Sequence, residues 1–243
     1  MKLIAESGAT KTDWRLIADD GAVRSASTAG LNPSVLDSEQ IRGIIAPVMP
    51  VLNPEGRSVE EIHFYGAGIV SCAAAAPLAD ALSMWYPFAH MEFHSDMLAA
   101  ARALFGNGSG VVAIMGTGSN SCLYENGQIV KNIRPGGFIL GDEGSGAVLG
   151  KRLVADLLKN QLSDELKEKF LTQYGITAAD IIENVYRKPF PNRYLASLSK
   201  FCAENMDNPL IAQLVYDHFD YFAKRILPQY PALPVGFIGS IAY

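Results

Sequence analysis

The sequence predicts an α/β protein with two domains, each built on a mixed β-sheet. The main observation is an order of segments that begins at Lys2 and again at Val111: strand, Gly/Thr-rich turn, strand, Asx-Gly turn, strand. Such hairpins are antiparallel, whereas the later strand candidates follow helical segments and are expected to be parallel. We therefore expect a first domain at residues 1–110 and a second at 111–243, with a helical insertion in the second. The boundary is placed in the glycine-rich segment Gly106–Gly110.

The composition of the chain narrows the class of protein. Its 243 residues are 49% hydrophobic and 19% charged with a net charge of −5, which is typical of a globular protein and unfavourable for a nucleic-acid-binding surface. No apolar run approaches the ~20 residues that a membrane-spanning helix needs. The cysteines Cys72, Cys122 and Cys202 are widely separated, which predicts reduced thiols. Because no signal peptide is recognised either, we expect a cytoplasmic protein with neither nucleic acid nor membrane as a partner.

The stretch Val111–Gly146 carries the strongest functional signal. Its apolar start predicts a buried strand that enters the turn Gly116–Asn120, where glycines let the backbone approach a ligand and N–H groups can converge on an anion. Gly136-Gly137 and the acidic segment Gly141–Gly146 follow, before a predicted helix. Hydroxyls and carboxylates on glycine turns predict a phosphate and metal site. Glycine turns also join ordinary strands, so this stretch alone favours neither interpretation.

Four motifs stand in an order that resembles a known family. Glu6–Thr12 matches that family's first phosphate motif, Gly116–Asn120 its second, Gly141–Ser145 its acidic motif, and Gly236–Ala242 the start of its adenosine-side motif. The sequence is similar to the N-acetylglucosamine kinase group of the BadF/BadG/BcrA/BcrD ATPase family, within the sugar kinase/Hsp70/actin superfamily. This resemblance implies two ribonuclease H-like (actin-like ATPase) domains with a cleft between them.

The resemblance also implies an activity and a set of site residues. The activity is ATP-dependent phosphoryl transfer to a hydroxyl of a small-molecule amino sugar, N-acetylglucosamine or a relative, with ATP and Mg²⁺ as cofactors; a homodimer is a compatible assembly. The residues implied to bind the ATP phosphates are Ser7, Gly8, Thr10, Lys11, Thr12, Gly116, Thr117, Gly118 and Ser119. Those implied to bind the sugar are Asn32, Asp96, Asn120, Gly136, Gly137 and Asp142, with Gly239 and Ser240 on the adenosine side. Asp96 is the candidate catalytic base, and Glu6 and Asp142 are the candidates for Mg²⁺, directly or through water.

The sequence departs from the family pattern in two motifs. The first motif usually begins with Asp followed by Gly, whereas this chain has Glu6 and Ser7, and Ser7 is expected to add a side chain where the phosphate approaches. The adenosine-side motif is cut short at Tyr243. We therefore expect the second domain to be truncated at its C-terminal end and nucleotide affinity to be weak.

Several of these residues also have ordinary structural interpretations. Asp96 and Asp142 each precede a predicted helix and could simply cap it. Asn32 stands before a proline, a common turn pair, and Lys11 could be a solvated surface lysine. For Asp96, the functional interpretation is that a carboxylate must accept the proton of the attacking sugar hydroxyl.

A second class of function stays open from the sequence. The superfamily includes ATPases that drive or gate a partner protein without phosphorylating a small molecule. Those that activate dehydratases or reductases hold an iron–sulfur cluster through cysteines, and the scattered cysteines of this chain lack that clustered spacing. A nucleotide-gated assembly module like actin is a third option. Sugar-dependent release of ADP distinguishes a kinase from both.

Overall fold

The chain folds as two compact units. The computed structural model describes residues 1–8, 10–69, 71 and 73–242, and the units are Met1–Ala103 and Leu104–Tyr243. Within the described part of the chain, no helix is long and apolar enough to cross a membrane.

The boundary between the units lies earlier than the sequence places it. Gly110 is inside a strand of the second unit, and the Phe105 ring packs against it so closely that a Cβ at Gly110 would lie 2.2 Å from that ring. The Tyr124 hydroxyl also donates to the Gly106 carbonyl at 2.7 Å. The glycine-rich segment is therefore packed into the second unit, and the boundary at residue 110 is corrected to residue 103.

The first unit is built on a five-stranded mixed sheet. Its strands are β1 (Lys2–Ser7), β2 (Lys11–Ile17), β3 (Val23–Ala29), β4 (Glu61–Gly66) and β5 (His90–Ser95). Its helices are α1 (Ser38–Ile45), α2 (Met49–Leu52), α3 (Ala76–Ser83) and α4 (Asp96–Phe105), the last of which runs past the unit boundary. The sheet order is β3-β2-β1-β4-β5, antiparallel from β1 to β3 and parallel from β1 through β4 to β5. The C-terminal ends of β1, β4 and β5 therefore share one edge of the sheet.

Alternating side chains explain which face of this sheet is buried. Leu3 of β1 and Trp14 of β2 are fully buried and share one core with Ile41 of α1 and Leu78 of α3. The Trp14 ring meets Phe64 of β4 edge-on, with ring centroids 5.9 Å apart. The period of two along each strand sends the intervening residues of β1 and β2 to the opposite face, which is more polar.

The second unit repeats this opening and then becomes mostly helical. Its strands are β6 (Ser109–Met115), β7 (Ser119–Glu125), β8 (Gln128–Ile133) and β9 (Val235–Ile238). Its helices are α5 (Gly137–Leu140), α6 (Gly146–Leu158), α7 (Asp164–Tyr174), α8 (Ala178–Tyr186), α9 (Pro191–Leu198), α10 (Lys200–Glu204) and α11 (Pro209–Arg225). The sheet order is β8-β7-β6-β9, with β9 parallel to β6 and the other pairs antiparallel. Two mixed sheets with the repeated order confirm the predicted fold class.

Local sequence explains the hairpin of β7 and β8. Asn126 and Gly127 connect these strands with φ values of 49° and 86°, the left-handed conformations that a two-residue type I′ turn requires. The unit has two apolar cores. One lies against the sheet and includes Met115 and Phe222, and the other joins the helices and includes Phe170.

Candidate functional site

The first glycine turn joins β1 and β2, and two of its predicted phosphate ligands face inward. Ser7 and Thr12 are fully buried, and their hydroxyl oxygens are 2.8 Å apart. The Ser7 hydroxyl also donates to the Leu31 carbonyl and accepts from the Leu31 N–H, while the Thr12 hydroxyl donates to the Ala29 carbonyl. Both hydroxyls are therefore engaged within the unit, and a phosphate-binding role for Ser7 and Thr12 stays a prediction. Ser7 adds no side chain on the approach to the turn, because it belongs to the buried set of β1.

The rest of the first turn lies at the surface. The Gly8 N–H donates to the Lys11 carbonyl at 3.0 Å and closes the turn, while Ala9 of the motif lies outside the described residues. Thr10 and Lys11 are exposed. The Lys11 ammonium pairs with the Asp13 carboxylate at 2.7 Å, so its charge is already partly compensated within β2. Lys11 therefore lies at the surface, as the alternative structural interpretation predicts.

Two carboxylates stand near the sheet edge at which β1 and β5 end. Partial burial raises the pKa of Glu6, and the negative charges of Asp96 and Asp13 raise it further. Burial also raises the pKa of Asp96, although hydrogen bonds from the N–H groups of Met97 and of Asp96 itself lower it. The Met97 N–H donates to Asp96 Oδ1 at 2.8 Å. Asp96 thus accepts a hydrogen bond at the start of α4, and its negative charge also raises the pKa of Glu6.

Asn32 occupies the loop after β3 with its amide oriented by the backbone. Its Oδ1 accepts from the Ser34 N–H at 2.9 Å, as the Asn-Pro pair predicts. Gly68, in the turn after β4, packs onto this amide at φ +82°, and a Cβ there would lie 2.1 Å from Asn32 Oδ1. Since Oδ1 is occupied and Nδ2 donates to no described residue, the Nδ2 group is left to donate to a ligand.

The second glycine turn joins β6 and β7 in the second unit. The Gly116 N–H donates to the Gly118 carbonyl at 2.9 Å and tightens the turn. Among the residues that the structure describes, the N–H groups of Thr117 and Gly118 have no acceptor. Two adjacent free N–H groups of this kind are suited to an anion such as a phosphate oxygen.

Asp142 of the acidic segment is tied to this turn. It adopts a left-handed conformation at φ 55°, and its carboxylate lies close to the N–H groups of Ser119 and Gly137. A Cβ on Gly118 would lie 3.0 Å from Asp142 Oδ2, so any larger residue at this position would crowd the carboxylate. Burial raises the pKa of Asp142, against the lowering effect of these two N–H groups.

The alternative role of Asp142 as a helix cap is excluded by the position of Ser145. The Ser145 hydroxyl caps α6 by accepting from the Val148 N–H at 3.2 Å. Asp142 therefore does not cap α6, and its carboxylate lies close to the backbone of Ser119 and Gly137 instead.

The other predicted sugar-binding residues of the second unit lie on the loops and strand that flank Asp142 in the chain. Gly136 and Gly137 both have positive φ, and Gly137 begins the short helix α5, which the sequence pattern did not predict. Asn120 Oδ1 accepts from the Ser121 N–H and from Asn132 Nδ2, both at 2.9 Å. Like Asn32, Asn120 is held through its oxygen and has no described acceptor for its own Nδ2.

A pocket of about 650 Å³ lies in the second unit between the helices and the end of β9. Ser240 lines it, and Gly239 next to it sits at φ +111° with Met115 so close that a Cβ would lie 2.3 Å from the Met115 carbonyl oxygen. The other lining residues come mainly from α9, α10, α11 and the segments that join them: Ser197, Ser199, Lys200, Cys202, Ala203, Met206, Val215 and Phe219, with Leu149 and Ile241. Sequence reasoning missed this group, because ordinary helical residues carry no motif and converge only through packing.

Gly146 lies between residues that line this pocket and the second glycine turn. A Cβ at Gly146 would lie 3.0 Å from Ile241 Cδ1, 3.2 Å from Ser199 Oγ and 3.3 Å from the Gly116 carbonyl oxygen. The Gly146 N–H also donates to that carbonyl at 2.8 Å. Gly146 therefore lies beside two residues that line the pocket, Ser199 and Ile241, and beside the first residue of the second glycine turn.

The fold consists of two mixed-sheet units, each with a glycine turn between its first two strands and carboxylates near its strand ends. The chain belongs to the BadF/BadG/BcrA/BcrD ATPase family, whose sequence pattern matches residues 6–208. The family that the four motifs predicted is thereby confirmed. No curated protein gives a significant match to this chain.

Solved structures extend the likeness over the whole chain. A Porphyromonas gingivalis protein provisionally named an N-acetylglucosamine kinase is 46% identical, with a TM-score of 0.94 over 100% of this chain and 87% of its own. A Chromobacterium violaceum protein with the same provisional name is 21% identical, with a TM-score of 0.75 over 99% and 87%. A ROK family glucokinase from Streptomyces griseus, solved with glucose and AMPPNP, is 16% identical, with a TM-score of 0.53 over 97% and 93%. The last two establish a shared fold only.

Proposed function

We propose that this protein transfers the γ-phosphoryl group of ATP to a hydroxyl of N-acetylglucosamine or a closely related amino sugar, in the cytoplasm. The observation that carries the proposal is the position of Gly146 between two lining residues of the 650 Å³ pocket and the glycine turn, because a nucleoside and its phosphates need these two environments side by side. The name of the Porphyromonas gingivalis protein, at 46% identity, supports an amino sugar as the acceptor.

The pocket suits the adenosine moiety of ATP. Its volume of about 650 Å³ is within the usual range for small-molecule sites, and its walls combine apolar side chains with a few polar groups. Ser197, Ser199 and Ser240 supply hydroxyls for the ribose and base, while Val215 and Phe219 supply apolar contact. We assign the free N–H groups of the second turn to the phosphates.

The residues fit a magnesium ion that arrives with the nucleotide. Mg²⁺ prefers one or two carboxylates, waters and phosphate oxygens to a cage made by the protein, and no group of three or more His, Cys, Asp or Glu side chains in the described part of the chain is arranged as such a cage. Glu6 and Asp142 would hold the ion, directly or through water. Burial raises the pKa of both carboxyl groups, and nearby carboxylates raise it further, so a cation beside either would offset uncompensated negative charge. When bound, Mg²⁺ neutralises charge on the phosphates during transfer.

Asp96 is assigned the role of general base. A sugar hydroxyl attacks phosphorus effectively only when its proton has an acceptor, and a carboxylate within hydrogen-bond reach supplies one. The hydrogen bond from the Met97 N–H fixes Asp96 Oδ1, which leaves Oδ2 to accept the proton. The Nδ2 groups of Asn32 and Asn120 are assigned to sugar oxygens, since both amides are already held through Oδ1.

A panel of sugars scored by ADP release tests this function. N-acetylglucosamine, other N-acetylated hexosamines and glucose are each added to protein, ATP and Mg²⁺, with a reaction lacking sugar as the baseline. We expect ADP release well above the baseline with an acetamido sugar. ATP turnover that is equal with and without every sugar would contradict the kinase and favour an ATPase that acts on a partner.

A further inference from the structure

One face of α11 contacts the acidic loop, which we define as residues 141–146. His218, Phe222 and Arg225 are spaced four and three residues apart, so they lie on the same side of this helix. They meet the loop in reverse order along the chain. The Arg225 guanidinium Nε donates to Glu143 Oε1 at 2.8 Å, and Phe222 packs on Gly144. The buried His218 lies against the backbone of Gly144 and Ser145.

The contact between Arg225 and Glu143 is partly buried. The Glu143 side chain is only 11% exposed, while that of Arg225 is 55% exposed, so the arginine reaches inward to a carboxylate that water scarcely reaches. The Glu143 carbonyl also accepts from the Ser119 hydroxyl at 2.6 Å. Glu143 is thus held from two sides, by α11 through its carboxylate and by the second glycine turn through its backbone.

Asp142 directly precedes Glu143 and depends on the same loop for its position. Its left-handed backbone at φ 55° is a conformation that a non-glycine residue keeps only when its surroundings hold it. On the same stretch of α11, Val215 and Phe219 line the 650 Å³ pocket. A single helix therefore connects the walls of that pocket with the loop that carries Asp142.

We propose that Arg225 is a positioning residue, which holds Glu143 and thereby fixes the Asp142 carboxylate relative to the second glycine turn. Arg225 touches neither substrate nor nucleotide in this role. A displacement of about 1 Å of a positioned group can lower turnover by about 10²-fold. The inference deepens the proposed function, because turnover of the sugar kinase is one of its readouts.

The kinetic test compares Arg225→Gln with Lys224→Gln, the matched control. Lys224 is the next residue of α11 and pairs with Asp220 at 2.7 Å, so its loss also removes one positive charge and one ion pair from the same turn of helix. We expect Arg225→Gln to lower kcat by about 10- to 100-fold with KM for ATP nearly unchanged, which is the pattern of an interaction made in the transition state. Lys224→Gln should retain wild-type kcat. Equal kcat values in the two variants would overturn the proposal.

Two further variants separate positioning from general loss of stability. Arg225→Lys keeps the positive charge and should recover most of the lost turnover. The double variant Glu143→Gln/Arg225→Gln leaves no buried unpaired charge and should lose no more kcat than Arg225→Gln alone, since both changes remove one contact. Losses that multiply in the double variant would show two independent effects and overturn the inference.

A readout that needs no sugar keeps the inference distinct from the proposed function. Amide hydrogen exchange is followed at Ser119 and Gly137, whose N–H groups lie close to the Asp142 carboxylate and lower its pKa. We expect faster exchange at these two amides in Arg225→Gln and wild-type rates in Lys224→Gln. Unchanged exchange in Arg225→Gln would refute the contact's effect on Asp142. A wild-type protein that phosphorylates no sugar would refute only the proposed function.

Discussion

The substitution Asp96→Asn separates the chemical role of Asp96 from its structural one. Asp96 Oδ1 accepts the Met97 N–H at 2.8 Å at the start of α4, and an asparagine oxygen can accept the same bond. Burial raises the pKa of Asp96, so its ionised form is less favourable in the folded protein than in the unfolded one. That cost is absent well below the ordinary pKa of an aspartate and present above the raised one. At neutral pH the neutral amide should therefore fold at least as stably as the carboxylate.

The expected loss of activity in Asp96→Asn follows from the missing proton acceptor. Removing a general base typically lowers turnover by about 10²- to 10⁴-fold, which corresponds to about 3–5 kcal/mol of transition-state stabilisation. Binding of sugar and ATP should stay within about tenfold of wild type, because the lost interaction belongs mainly to the transition state. Steady-state kinetics, calorimetric binding of each ligand and a thermal melt measure the three quantities.

Asp37→Asn is the matched control for this substitution. Asp37 caps α1 in the same unit, and its Oδ1 accepts the Gln40 N–H at 2.9 Å. The two variants thus make the same chemical change at the start of two helices. We expect the Asp37 variant to keep wild-type turnover. A folded Asp96→Asn protein with wild-type turnover would remove Asp96 from the mechanism, and the search for a base would move to Asp142.

Two further predictions test the pocket and the helical core. Ala203→Trp places an indole from an exposed position into the 650 Å³ pocket and should weaken ATP binding by about tenfold or more without lowering stability. Ala179→Trp, at an exposed alanine of α8 that does not line this pocket, should bind ATP normally, and calorimetry measures both affinities. Gly150→Ala puts a Cβ 1.9 Å from the Leu195 carbonyl oxygen and should destabilise the protein by about 1–3 kcal/mol. Gly43→Ala, with no atom within 4 Å of its new Cβ, should instead stabilise α1 by about 0.5–1 kcal/mol in denaturant melts.

The glycine turns and the strands around them could be predicted because their signals are local. The turn at Gly116 follows a run of strand-forming residues, and Asn126-Gly127 forms the type I′ turn that its sequence favours. The position of Asp96 between β5 and α4 could be predicted for the same reason, while its role as a base is implied by the family resemblance and stays a prediction. Each of these features depends on residues that are neighbours in the chain.

The parts that sequence reasoning missed depend on tertiary packing. Ser7 and Thr12 belong to a motif that binds phosphate in the family, yet which strand face becomes buried is set by α1 and α3. The helical insertion includes two consecutive helices, α9 and α10, and the residues near their junction line the pocket. Glu143 and Arg225 are far apart in sequence, and only the fold of the second unit brings them to 2.8 Å.

The most direct test of the proposed activity follows the γ-phosphoryl group itself. ATP labelled in that group is incubated with the protein, Mg²⁺ and N-acetylglucosamine, and the products are separated. The proposal expects the label in a phosphorylated sugar, formed in step with ADP and lost in the Asp96→Asn variant. Label that appears only as inorganic phosphate, at the same rate with and without sugar, would contradict a sugar kinase.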